Sequence, residues 1–337
     1  MKHPHALPLA PLLALLPALG GCLGPAKSPE MTEEEKINLH ETAATYHYDD
    51  GDLIEAQDQA VQVLEIDPEN REMRRMIGWI RLRLGSTEDV LIAERFFRDL
   101  RAEGDEHDAT TLGLAIARER LGTAYHEAAR EYAAGTREPM DTDDPAARAA
   151  ELEETAREHW TDAVSLYEST LEKGEGSTRA KNGLQRVYAQ LGDFATSLRW
   201  SEAVLADAER ELASWRELLT AGDLTEEEEH LFRTNESAAV ELLKETHLFA
   251  ASLLQGIDRP AEAAQHLDQV VEIDPSIPQV YSRRAQLHAE AEEWDLAIAD
   301  LDRFLRLAEA LPFEHPDVRR AFDLRADCEA RLAAAGR

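Results

Sequence analysis

The chain has 337 residues, 36 basic against 68 acidic side chains, and a formal charge of −32. A surface this acidic opposes binding to nucleic acid, whose phosphates need a basic face. It equally opposes electrostatic attachment to anionic lipid. Only six of the basic residues are lysine, a bias that a high-GC genome or a salty habitat would each produce.

The chain opens MKHPH and continues ALPLAPLLALLPALG, a short basic start followed by an apolar run and small residues. That is the layout of a secretory signal peptide. The run is shorter than the roughly 20 residues that span a bilayer, and Pro8, Pro11 and Pro17 interrupt it. Leu19-Gly20-Gly21-Cys22 resembles the lipobox of bacterial lipoproteins. The resemblance implies a signal peptide over residues 1–21, cleavage before Cys22, and acyl chains on its sulfur. Leu23, rather than Asp, resembles the outer-membrane sorting signal of Gram-negative lipoproteins. An ordinary cleaved signal with an incidental cysteine is the competing reading. Residues 22–35, with prolines, glycine and charge but no apolar period, read as the lipidated cysteine and a flexible tether.

Two later segments are near copies: EAQDQAVQVLEIDP (55–68) and EAAQHLDQVVEIDP (262–275) share eight of 14 positions. In the first, Leu53, Ala56, Ala60, Val63 and Leu64 form one helical stripe. Asp67-Pro68 stops it, and the pair suits the N-cap and first turn of a following helix. A helix over about 33–49 and a turn at Gly51-Asp52 precede it. The unit is therefore helix, tight turn, helix, proline.

This unit resembles the tetratricopeptide repeat. RERLGTAY carries Leu121, Gly122 and Tyr125 in place, with Arg118 at the usual tryptophan position. KNGLQRVYAQLGDF carries Leu184, Tyr188, Gly192 and Phe194. Gly78, Ala44, Ala251 and Ala285 fill the close-packing position of other units. The resemblance implies an all-α, right-handed solenoid of helix pairs over residues 36–337. About six units are phased 37–70, 71–104, 108–175, 177–222, 225–276 and 278–311, with a capping helix over 315–334. Cys328 sits with Leu324 and Leu332 on the apolar face of that last helix and reads as a buried structural thiol.

Units three and five are overlong, and their extra residues keep a helical period. About 15 extra residues per helix add roughly 22 Å at 1.5 Å per residue. One hairpin arm extends the turn within unit three, around REPMDTDDP. A second joins unit four to unit five through Trp215, Leu218, Leu219, Leu231, Phe232, Leu242 and Leu243, with Thr225 and Glu228 as a capping box. These turns lie on opposite edges of a solenoid, so the arms project in opposite directions or fold back on the body.

Few residues suggest chemistry. His40 and His47 share a helical face without a third metal ligand and read as structural histidines. Asp141 to Asp144 (DTDD) lacks the glycine and distal glutamate of a calcium loop. No phosphate loop, serine elbow or zinc motif occurs, so neither catalysis nor a cofactor is expected. By resemblance, the first helices line a concave groove that holds protein or peptide partners. The groove positions map to Tyr48, Arg75, Trp79, Arg179, Asn182, Arg186, Gln279 and Gln286. Arginines there suit a carboxylate; ordinary solvated arginines are the competing reading. The expected protein is a lipid-anchored scaffold on the periplasmic face of the outer membrane. A glycan- or solute-binding lipoprotein, and an assembly factor for pili, outer-membrane proteins or polysaccharide export, are the alternatives.

Overall fold

A computed structural model of the chain describes residues 31–136, 144–172, 178–222 and 224–335. The signal peptide, Cys22, tether residues 23–30 and Asp141–Asp143 lie outside the described residues, and the expected tether ends early, because Thr32 caps α1 and residues 33–35 form its first turn. The described residues form thirteen α-helices and no strand. They pair in chain order. The first two hairpins are α1 (Glu33–Asp50) with α2 (Leu53–Ile66), and α3 (Arg71–Leu84) with α4 (Thr87–Ala102). Next come α5 (Asp108–Ala134) with α6 (Pro145–Glu172), and α7 (Thr178–Gln190) with α8 (Phe194–Thr220). Finally α9 (Glu226–Gly256) pairs with α10 (Pro260–Ile273) and α11 (Pro278–Glu290) with α12 (Trp294–Leu307), before α13 (Pro316–Ala335). Each helix packs on the next, and the first helices α3, α5 and α7 also touch directly.

Local chemistry sets the helix ends. Thr32 and Glu35 form a reciprocal capping box at α1, as Thr225 and Glu228 do at α9. Gly51 (φ 91°) and Gly85 (φ 80°) end α1 and α3 in the left-handed region that side chains avoid. The Asp-Pro stops act differently from the sequence expectation. Asp67 and Asp274 follow the last turns of α2 and α10, and their carboxylates accept from Glu69 N and Ser276 N in tight local turns. The N-cap of α3 is Asn70, whose side chain accepts from Met73 N at 3.0 Å.

Aromatic side chains of the second helices fill notches left by glycines. Phe97 on α4 lies between Gly78 of its own hairpin and Gly113 of the next. Trp160 on α6 sits against Gly122, and Tyr167 against Gly183 of the following hairpin. A Cβ at any of these four glycines would fall 2.2–2.6 Å from a ring atom. This repeated interlock of own and next unit makes the fold a tetratricopeptide-type α-solenoid with two extended hairpins and a C-terminal capping helix.

The first extended hairpin is α5–α6, at 27 and 28 residues against 14 in α2 and α3. Its outer part packs on itself through Ala129, Tyr132 and Leu152. The second is α8–α9, zipped by Trp215 against Phe232 (ring centroids 5.7 Å) and Arg216 against Glu236 (3.0 Å). One extends a turn within a hairpin and the other a connection between hairpins, so they leave from opposite edges.

Cys328 is fully buried in α13, and burial raises its thiol pKa. The cap is less polar than a solenoid end requires: the Phe313 and Phe322 rings meet at a tilt with centroids 5.3 Å apart and are 63% and 41% exposed. His40 bonds Gln59 at 2.7 Å, and no cluster of three metal-ligating side chains occurs among the described residues. No helix among them is long and apolar enough to cross a membrane.

Candidate functional site

The expected groove residues come from the first helices of four hairpins, and the structure divides them. Tyr48 on α1, Trp79 on α3, and Arg179 and Arg186 on α7 line one open depression of about 590 Å³. Direct packing of α3 on α5 and α5 on α7 brings these sequence-distant residues together. Trp79 is held edge-on by the buried Phe97, with centroids 5.7 Å apart. Arg179 lies over the Trp79 ring at 5.9 Å, a cation–π contact between hairpins two and four.

Five further lining residues escaped the sequence reading: Leu82, Arg83, Ile116, Glu119 and Arg120. A signal was available. Arg83 lies one turn beyond Trp79 on the same helix face, and Arg120 one turn beyond Ile116. Both arginines reach back to the preceding first helix. Arg83 donates to Tyr48 O at 2.8 Å and sits 5.0 Å from that tyrosine's ring centroid; Arg120 donates to Leu82 O at 2.5 Å. Each thus donates to a last-turn carbonyl at the negative end of a helix dipole, and Tyr48 O also accepts from Gly51 N at 3.3 Å.

The charge balance follows from partners. Glu119 is buried and accepts from Tyr167 Oη at 2.5 Å and from Arg186 Nε at 2.6 Å. Burial opposes the charge on Arg186, but the Glu119 carboxylate outweighs it and holds the arginine pKa above its ordinary value. Burial and the same carboxylate push the Tyr167 phenol well above its usual pKa. Arg186 is therefore spoken for. Arg83, Arg120 and Arg179 form no ion pair among the described residues, so three uncompensated guanidiniums face one depression.

The remaining expected residues lie elsewhere. Arg75 bonds Thr110 at 2.8 Å and Asp105 at 2.9 Å, which ties α3 to the first turn of α5 and to the loop before it. Asn182 accepts from Gln185 Nε2 at 2.5 Å. Gln279 and Gln286 line a separate depression at the C-terminal end.

The chain matches no family model and no curated protein. Among solved structures it is similar to a tetratricopeptide repeat protein from Parabacteroides merdae, at 15% identity over 86% of this chain and 99% of that one, TM-score 0.36. It is also similar to a thermophilic TPR protein from Thermus thermophilus, at 14% identity over 90% and 100%, TM-score 0.34. A third is pilF of Pseudomonas aeruginosa, at 14% identity over 86% and 97%, TM-score 0.45.

Proposed function

We propose that this chain is a lipid-anchored scaffold of the bacterial envelope that works by binding. Acyl chains on Cys22 hold it at the periplasmic face of the outer membrane, and the solenoid seats a protein or peptide partner in the depression between α1, α3, α5 and α7. The observation that carries the binding reading is the set of three arginines that form no ion pair among the described residues, gathered around Trp79 and Tyr48 in a chain of charge −32. Arginine and aromatic rings dominate binding hot spots, and a guanidinium pairs with carboxylate in fork geometry. The partner segment that fits is acidic with an apolar neighbour. The open shape favours a peptide over an enclosed small solute.

Photo-crosslinkers placed in vivo at Ile116 test the site. A partner is captured there, and capture falls at least tenfold when Trp79→Ala and Arg179→Ala are combined. Equal capture with and without those substitutions refutes the assignment. The anchor is tested separately: Cys22→Ser abolishes incorporation of labelled palmitate, and a normally labelled variant overturns it.

A further inference from the structure

The second depression, of about 270 Å³, lies between α11, α12 and α13. Gln279, Arg283 and Gln286 form its polar wall, and Leu301, Phe304 and Leu324 its apolar side. Asp317 and Arg320 also line it, and their charges are paired with each other.

Arg283 is the unusual member. Its Nη2 donates to Ser252 Oγ at 3.1 Å and to Gln255 Oε1, both neutral. Its Nε and Nη1 make no hydrogen bond among the described residues. The next residue shows the contrast: Arg284 bonds Asp268 and Asp300 at 2.6–2.7 Å. Burial lowers the pKa of Arg283 from the ordinary arginine value, with no carboxylate to offset it. With 68 acidic residues in the chain, a half-buried arginine without one does not reflect a shortage of acids. Stitching α11 to α9 needs only a neutral donor, whereas a charge there carries a desolvation cost.

We infer that Arg283, Gln279 and Gln286 form a binding site for a carboxylate carried on a short aliphatic body. The carboxylate accepts a single charge-assisted hydrogen bond from the free Nη1 of the guanidinium, since Nη2, which every fork needs, is taken by Ser252 and Gln255, and it accepts further from the two glutamine amides. The aliphatic part lies against Leu301, Phe304 and Leu324. The volume is just under the roughly 300–1,000 Å³ of pockets that take drug-sized ligands, which limits the body to a few carbons. Such a group comes from a free small acid or from the C-terminal residue of a peptide.

The test is an NMR titration of the full-length protein, reading the side-chain amides of Gln279 and Gln286. Hexanoate shifts both signals; hexanamide, its neutral isostere, leaves them in place. Arg283→Met weakens hexanoate at least tenfold. Because that change also removes a contact to α9, Gln286→Leu at an exposed position serves as a second variant and weakens binding at least threefold. Acetyl-leucine binding more tightly than hexanoate identifies a peptide terminus, and equal binding a free acid; either supports the carboxylate site. Equal shifts from hexanoate and hexanamide overturn it, as does unchanged hexanoate affinity in Arg283→Met. Trp79→Ala with Arg179→Ala leaves hexanoate binding intact, so this site and the arginine depression stand or fall separately.

Discussion

Substituting Gly183→Ala sets two effects of opposite sign against each other. Gly183 lies inside α7, where alanine is the better helix former by about 1 kcal/mol. Propensity alone makes the change stabilising. The structure places the new Cβ 2.2 Å from Tyr167 Cζ and 2.5 Å from Cε2. Ordinary contact requires the ring or α7 to retreat by about 1 Å. The ring has nowhere to go: Tyr167 is fully buried, and its hydroxyl is bonded to Glu119, itself clamped by Arg186 of the same α7. Overpacking of this kind costs about 1–3 kcal/mol, and a strained hydrogen bond to a charged group about 1.5 kcal/mol more. After the helix gain, the net loss is about 2–3 kcal/mol. Urea unfolding followed by tryptophan fluorescence reads it, with hydrogen exchange in α6 and α7 showing whether the loss is local. Gly256→Ala is the control, because a Cβ there meets nothing within 4 Å. Tyr167→Leu, which shortens the side chain, recovers part of the loss in the double variant. A Gly183→Ala protein as stable as the parent refutes the interlock.

Three further outcomes are expected. Arg186→Glu leaves the buried Glu119 beside a second carboxylate and costs about 2–3 kcal/mol in urea unfolding, whereas Arg179→Glu, which has no ion-pair partner among the described residues, leaves stability within about 0.5 kcal/mol. His247 faces His266 with Nδ1 atoms 2.9 Å apart, and burial lowers its pKa to about 4. A base depressed on folding stabilises above its unfolded pKa of 6.5, and that contribution is lost as pH falls toward 4. The decline of stability between pH 6.5 and 4.5 is therefore about 2 kcal/mol smaller in His247→Leu, measured by urea titration at each pH. Thr225→Ala removes the capping box that opens α9 and costs about 1 kcal/mol, seen as faster hydrogen exchange in the first turn of that helix.

Much of the architecture is legible in the chain because it rests on short-range regularities. The 3.6-residue stripe of Leu53, Ala56, Ala60 and Val63, the Gly51 turn and the Thr225–Glu228 box each act within about one helical turn to a few turns. The long hairpins are legible for the same reason, since the helical period runs on past the expected turn. The Asp-Pro stops were half legible. Proline ends the helix as expected, but the aspartates close their own local turns, and Asn70 takes the capping role.

The interlocking glycines show where local reading fails. Gly113 and Gly183 each follow the aromatic they receive, Phe97 and Tyr167, by sixteen residues, yet that offset means something only once the next hairpin is stacked. Charge is harder still. Arg75 and Arg186 occupy face positions like that of Arg179, but one finds Asp105 and the other a glutamate 67 residues away. Periodicity thus decided that there are helices, which faces turn inward and where they stop, because those follow from backbone geometry over a few residues. Stacking decided which arginines keep a free charge and that one expected groove is two separate depressions. An ion pair depends on which carboxylate arrives within 3 Å, and only the packed superhelix sets that distance.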